Sequence, residues 1–131
     1  MKKYYTLVFH PYDGGYLVTV PDVPGCTTGG KTVPEALEMA RDALCGCLCV
    51  YEDEGITLPE SRLPGELSLE SGDFAVMMEI DLLEYRMKTD THAVRKNVSL
   101  PAWLSNMADK RGVNCSQVLQ EALRRTLGVE A

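Results

Sequence analysis

The sequence contains no apolar run that approaches the roughly 20 residues of a membrane-spanning helix. Its first three residues, Met1 to Lys3, are followed by an alternating segment instead of the continuous apolar stretch of a signal peptide. We therefore expect a soluble, cytoplasmic protein that does not contact the membrane. In that compartment its cysteines should stay reduced.

Residue patterns typical of metal sites and of covalent catalysis are also scarce. The chain has only two histidines, His10 and His92, and no Ser or Cys has an evident histidine partner. The glycines form no phosphate-binding motif. The cysteines number five, and Cys45, Cys47 and Cys49 are spaced by two, unlike the cysteine pairs of zinc sites. We predict no metal and no cofactor, and small thiols that are buried or half-buried.

Carboxylates that could hold catalytic metal ions are scattered along the sequence. Metal-dependent nucleases need several carboxylates that converge on the ions. Asp13 lies in a predicted turn, Asp22 follows a predicted strand, and Glu79 and Asp81 end another strand. No acidic residue on a predicted helix aligns with them. This arrangement predicts that the chain is not an enzyme.

Charge is distributed unevenly over a chain whose net charge is −6. Residues 1–90 contain 7 Lys and Arg against 16 Asp and Glu, a net charge of −9. Residues 91–131 contain 6 against 3, a net charge of +3. This division fits nucleic-acid binding by the C-terminal part only, and a basic partner for the acidic part.

The acidic part predicts a small sheet with one covering helix. Residues 4–9 and 16–20 are rich in strand formers and flank turn residues, which indicates a hairpin, and residues 26–29 suit a short third strand. Thr32 and Glu35 form a capping box that begins a helix. Its predicted apolar face contains Leu37, Ala40, Leu44, Leu48 and Tyr51.

After this helix the sequence predicts a long loop and a final strand. Residues 56–72 contain two prolines and two glycines and exceed the usual loop length. Residues 74–80 form an almost continuous apolar run, which predicts a strand buried on both faces. The order β-β-β-α-β indicates an α+β fold.

The basic part predicts one strand followed by two helices. If residues 94–100 are extended, one face carries Val94, Val98 and Leu100, interrupted by Lys96. The opposite face carries three side chains that form hydrogen bonds: Arg95, Asn97 and Ser99. Pro101 suits the first turn of a helix that Gly112 ends. Asn114 and Gln117 predict a capping box for a second helix, which Gly128 ends.

A lone strand cannot satisfy its own backbone hydrogen-bonding groups, and segments below roughly 40 residues usually need a partner or a cross-link. Two copies could pair their strands antiparallel above four helices. Such a ribbon fits the major groove of DNA, which is about 12 Å wide, where Arg can bind guanine and Asn adenine. The alternative is an edge strand and helical hairpin packed on the front domain.

The order strand, Leu-Pro, helix, Gly-x-Asn, helix resembles the ribbon-helix-helix DNA-binding fold over about 35 residues. The resemblance implies that Arg95, Asn97 and Ser99 contact bases. It also implies that backbone N–H groups near Asn114, Cys115 and Ser116 bind phosphate, as helix N-termini do readily. Lys96 departs from the apolar inward position of that family.

The segment GYLVTVPDVPGCTTGGKTVPEALEMARDAL resembles the front domain of HicB-type antitoxins. The resemblance implies a partial RNase H-like fold for that domain and, with the ribbon-helix-helix tail, covers nearly the whole chain. The implied organisation is a toxin-binding domain at residues 1–84, a linker at 85–93 and a DNA-binding and dimerisation domain at 94–131.

The family also implies two activities. The front domain would bind and block a HicA-type RNase toxin, and the tail would bind operator DNA and repress its own operon as a homodimer. A tetramer, in which front domains pair as well, is a further hypothesis. Our candidate toxin contacts are four acidic residues: Asp22, Glu52, Asp53 and Glu54. The alternative is a ligand-responsive ribbon-helix-helix repressor without a toxin partner.

Overall fold

The computed structural model describes residues 2–129, which divide after His92 into two compact units. The front unit contains four strands and two α-helices: β1 Lys2–Tyr12, β2 Gly15–Thr19, β3 Thr27–Gly30, α1 Val33–Asp53, β4 Phe74–Asp81 and α2 Leu82–Thr89. A short 3₁₀ helix, Pro64–Glu66, lies between α1 and β4. The C-terminal unit contains α3 Ala102–Lys110 and α4 Cys115–Leu127. The predicted α+β class and the β-β-β-α-β order are confirmed.

The four strands form one antiparallel sheet in the order β3-β2-β1-β4. The hairpin between β1 and β2 turns at Asp13 and Gly14, whose φ angles are 49° and 76°. Positive φ at both central residues is typical of the tight hairpin turns that match the twist of the strands. The Asp-Gly pair in the sequence therefore sets the register in which Tyr12 pairs with Gly15.

Helix α1 covers one face of the sheet and begins where the sequence predicted. The Thr32 hydroxyl accepts the Glu35 N–H at 3.3 Å, whereas the Glu35 carboxylate accepts the Lys31 N–H instead of completing the capping box. The helix buries its apolar face against β1, with a core that includes Ala40, Leu44, Leu48, Tyr5, Leu7 and Phe9. Within residues 2–129 no helix has the length and apolarity needed to cross a membrane.

Strand β3 approaches the first turn of α1 closely because it ends in glycine. A Cβ atom on Gly30 would lie 2.7 Å from the Ala36 backbone nitrogen, closer than non-bonded atoms can pack. A side chain here would push the helix away from the sheet. Gly30 therefore sets how tightly α1 packs on the sheet, whereas a Cβ on Gly29 would lie 2.6 Å from the Tyr16 carbonyl oxygen of β2.

The prediction that β4 is buried on both faces is wrong. Only Met78 and Ile80 of this strand are buried, and Met77 is 41% exposed. Because β4 is an edge strand paired with β1 alone, and α1 covers only one face of the sheet, its apolar residues on the other face meet solvent. The length of an apolar run does not reveal its position in a sheet.

The long loop, residues 56–73, packs against β1, and we call it the strap. Strand β2 pairs with β1 only from Val8 onward, which leaves the first half of that edge free. The strap occupies this gap: the Thr6 N–H donates to the Ser61 hydroxyl at 2.9 Å, and the Thr6 hydroxyl donates to the Arg62 carbonyl at 2.6 Å. Thr6 is thereby buried with its polar groups satisfied.

Helix α2 was not predicted, and it occupies residues 85–89 of the expected linker. Asp81 caps it by accepting the Glu84 N–H at 3.2 Å. Of its residues only Leu82 is buried, so its attachment to α1 is mainly polar. The Tyr85 hydroxyl donates to Asp42, and Arg86 donates to the C-terminal end of α1.

In the C-terminal unit both helices form as predicted, but the segment before them does not form a strand. Within residues 2–129 the segment 94–100 pairs with no strand, and a strand requires a hydrogen-bonded neighbour. The Asn114 side chain caps α4 by accepting the Gln117 N–H at 3.1 Å. The Gln117 side chain instead donates to Glu121, so the predicted capping box is half formed. Gly112 and Gly128 have φ angles of 64° and 69°, as helix-ending residues should.

Candidate functional site

The predicted base-contacting side chains, Arg95, Asn97 and Ser99, are all exposed. Within residues 2–129 none of the three side chains forms a hydrogen bond or an ion pair. They alternate along an extended segment with Val94, Lys96, Val98 and Leu100. The three polar side chains therefore share one face only when this segment has the extended conformation of a strand. The structure keeps these groups available for another molecule.

An apolar groove of about 540 Å³ runs through the C-terminal unit. Its lining includes Val98, Leu100, Leu104, Met107, Val118, Leu119 and Ala122. Lys96 lines it together with Val98 and Leu100, in agreement with the predicted alternation of side chains. Val98 is 59% exposed and Leu100 47%, so the single chain leaves this surface uncovered.

The N-terminus of α4 retains backbone donors. The Asn114 side chain occupies the Gln117 N–H, and the Asn114 carbonyl accepts the Val118 N–H. In the described part of the chain the N–H groups of Cys115 and Ser116 have no acceptor. Free N–H groups and the positive end of the helix dipole make this position able to bind an anion.

Asp22, a predicted toxin contact, is occupied within the chain. Its carboxylate accepts the Arg62 backbone N–H at 2.8 Å and the Arg62 Nε–H at 2.9 Å, and its side chain is 16% exposed. This pair fastens the strap to the segment that follows β2. The geometry favours a structural role for Asp22.

Glu52 and Asp53 are also engaged. Arg86 of α2 donates through Nη2 to Glu52 at 3.2 Å, to Asp53 at 3.0 Å and to the Cys49 carbonyl at 3.2 Å. The acidic run at the C-terminal end of α1, which the helix dipole disfavours, is therefore stabilised by a cation from the next helix. Glu54 is exposed and ends α1.

His10 links the end of the strap to the sheet. Its Nδ1 lies 2.7 Å from the Asp73 carboxylate and its Nε2 lies 3.0 Å from the Thr19 hydroxyl. The imidazole thus joins β1, β2 and the last residue of the strap. The sequence had no signal for this contact, since Asp73 lies 63 positions away from His10.

The cysteines lie where predicted: Cys45 is buried, Cys47 and Cys49 are partly buried, and all five are free thiols. Burial raises the pKa of the Cys26 thiol to about 12 and that of Cys45 to about 11. A raised pKa keeps these thiols protonated at neutral pH, and the protonated form is neither a good nucleophile nor a good metal ligand.

The scattered carboxylates do not converge. Glu79 accepts the Tyr4 hydroxyl at 2.7 Å and pairs with Lys2, and the pKa of Glu79 is lowered mainly by that tyrosine hydrogen bond. Asp81 caps α2, and Asp22 pairs with Arg62. Over residues 2–129 the structure contains no group of three or more His, Cys, Asp or Glu placed to hold a metal ion.

A sequence model described as the HicB_like antitoxin of bacterial toxin-antitoxin system matches residues 5–122. The chain belongs to the HicB-like antitoxin family. A relative named antitoxin HicB 2, from Photorhabdus laumondii, is 32% identical over 87 residues. The match covers 66% of this chain and 62% of that antitoxin, so the chain spans somewhat less than two thirds of the relative's length.

Solved structures of HicB-like antitoxins share the fold. The Burkholderia pseudomallei antitoxin HicB is 25% identical and superposes with a TM-score of 0.55 over 95% of this chain and 98% of that one. A chain of a toxin–antitoxin complex from Streptococcus pneumoniae is 23% identical and superposes with a TM-score of 0.61 over 96% of this chain and 99% of that one. Both matches extend over the front and C-terminal units of the present chain.

Proposed function

We propose that this HicB-like chain neutralises a HicA-type RNase toxin with its front unit and represses its own operon with its C-terminal unit. The observation that carries the proposal is the family match over residues 5–122, which spans both units of the chain. The division of charge supports it independently, since the front is acidic and the tail is basic. Inhibition by covering the toxin surface requires no catalytic group on this chain.

The toxin arm of the proposal rests on steric cover and electrostatic attraction. A front unit with excess negative charge attracts a basic enzyme and raises its association rate, and salt should weaken that attraction. The unit has a buried core and a strap fixed by hydrogen bonds, so it can bind without first becoming ordered.

Co-expression with the small protein encoded beside this gene tests the toxin arm. We expect the small protein alone to arrest growth, and this chain to restore growth and to co-purify with it. A variant with Arg86 and the core intact but the C-terminal unit deleted separates neutralisation from repression. Growth arrest that persists although both proteins are soluble would overturn the antitoxin assignment and favour a ligand-responsive repressor.

The DNA arm of the proposal rests on a second copy of the C-terminal unit. Two chains that pair residues 94–100 antiparallel would complete the missing strand hydrogen bonds and cover the apolar groove. The resulting ribbon would present Arg95, Asn97 and Ser99 twice, across a two-fold axis, at a width that suits the major groove. Phosphates on either side would bind at the N-termini of the two α4 helices.

Replacing Arg95 with Ala should weaken operator binding by about 1–3 kcal/mol and relax base preference, because Arg can form paired hydrogen bonds with guanine. Lys110→Ala removes the same charge from the end of α3 and should weaken binding to specific and to nonspecific DNA by the same factor. Fluorescence anisotropy with operator and scrambled duplexes measures the DNA affinity of both variants. If Arg95→Ala and Lys110→Ala behave identically, Arg95 contacts the backbone and not a base.

A further inference from the structure

Two grooves border the strap, each of about 480 Å³. The first, which we call the acidic groove, is lined among others by His10, Arg62, Glu66, Leu69, Glu70 and Asp73. The second, which we call the tyrosine groove, is lined among others by Tyr4, Glu60, Leu63 and Met77. Together with the strap between them they form what we call the strap face.

The acidic groove has unsatisfied negative charge. Its one arginine, Arg62, is already paired with Asp22, and the His10 imidazole contacts Asp73 through Nδ1. Within residues 2–129 the Glu70 side chain has no partner, and Glu66 accepts only the Leu63 N–H at 2.7 Å. A lysine or arginine side chain of a partner would therefore meet carboxylates that no cation neutralises.

The tyrosine groove offers apolar contact area. Tyr4 is 55% exposed and Leu63 57%, and both adjoin the half-exposed Met77. Protein-binding surfaces commonly combine exposed aromatic and large apolar side chains with a charged rim. Lys2 and Lys3 also line this groove, so it suits a neutral or apolar side chain better than a basic one.

The exposed face of α1 lacks a groove of the size found on the strap face. Its C-terminal acids Glu52 and Asp53 pair with Arg86, and Asp42 accepts the Tyr85 hydroxyl. The cavity beside it measures about 110 Å³ and is lined by two cations, Arg41 and Lys88, and by two acids, Asp81 and Glu84. Glu38 and Glu54 of α1 are exposed acids, but a basic partner would find little concave surface around them.

We propose that the toxin docks on the strap face, with a basic side chain in the acidic groove and an apolar one in the tyrosine groove. This inference rests on the proposed antitoxin function and places the contact on a surface different from the acidic run 52–54. The strap is already fixed by Thr6, Asp22 and His10, so binding orders little additional chain.

Two charge-reversal pairs test the location. Glu60→Lys with Glu70→Lys changes the strap face, and Glu38→Lys with Glu54→Lys makes the same change in net charge at exposed positions of α1. Binding of the toxin, co-purified with the full chain and then separated by unfolding and refolding, is measured by biolayer interferometry. We expect the charge reversals on the strap face to raise Kd about 100-fold or more, mainly because the dissociation rate increases. The charge reversals on α1 should raise Kd less than about 10-fold, mainly because the association rate decreases.

The outcomes separate the docking site from the function. An α1 pair that weakens binding as much as the strap pair, or a strap pair without effect, overturns the strap face as the contact. Failure of the unaltered chain to bind the toxin overturns the proposed function itself. Ser68→Tyr, a neutral substitution that fills the acidic groove at an exposed strap position, should also raise Kd at least about 10-fold while thermal unfolding stays unchanged.

Discussion

Replacing Leu119 with Asp is expected to make the chain monomeric and to weaken operator binding at least about 100-fold, while toxin neutralisation persists. Leu119 lines the apolar groove and is the one residue of α4 that is partly buried in the single chain, all the others being exposed. If a second copy covers this groove, the aspartate places a charge without a partner in an apolar interface, which costs several kcal/mol. A monomer cannot form the paired ribbon, so base contacts and dimer formation should be lost together.

Gln120→Asp is the matched control, because it adds the same charge to the next residue of α4, which does not line the groove. Sedimentation velocity measures the oligomeric state, and electrophoretic mobility shift measures operator binding. A Leu119→Asp chain that still sediments as the unaltered chain does would show that the groove is not the dimer interface.

The helices of the C-terminal unit could be predicted because their signals are local. Asn114 caps α4, and Gly112 and Gly128 take the left-handed conformation that ends a helix. The strand predicted at residues 94–100 does not form in the single chain, and it would need hydrogen bonds from another molecule. The alternation of side chains is nevertheless present, since Lys96, Val98 and Leu100 line one groove.

The order of the four strands and α1 in the front unit could be predicted, but α2, the edge position of β4 and the path of the strap could not. The Asp-Gly turn and the Thr32 cap are short-range features with a direct physical effect. The position of β4 at the sheet edge and the path of the strap along β1 depend on pairings between distant residues. Thr6 meets Ser61 and Arg62 more than 50 positions away, and no periodicity in the sequence encodes that contact.

The candidate acidic residues show that charge in the sequence does not distinguish a paired carboxylate from an unpaired one. Asp22, Glu52 and Asp53 were selected for their charge, yet each is paired with an arginine of the same unit. Those arginines lie 40, 34 and 33 positions away, so sequence proximity did not reveal the pairs. In the part of the chain that the structure describes, Glu60 and Glu70 carry the same formal charge without a partner, which makes them better candidates for an intermolecular contact.

A chain that ends at His92 is expected to neutralise the toxin as well as the full chain does and to lose operator binding completely. The cut falls at the boundary between the compact units, and the front unit keeps its own apolar core. It also keeps α2, whose Arg86 neutralises Glu52 and Asp53. Residues 94–100 and α4 are absent from this chain. It therefore lacks Arg95, Asn97 and Ser99 and the N-terminus of α4, which we propose to bind DNA.

A chain that ends at Tyr85, where the sequence predicted the linker to begin, tests whether α2 stabilises the front unit. It lacks Arg86, so two carboxylates and the Cys49 carbonyl lose their donor. We expect its free energy of unfolding, measured in urea, to be lower than that of the longer fragment by about 1–2 kcal/mol, while toxin neutralisation is retained. Equal stability of the two fragments would mean that α2 is not part of the front unit in solution. A stable His92 fragment that fails to neutralise the toxin would place part of the toxin contact in the C-terminal unit.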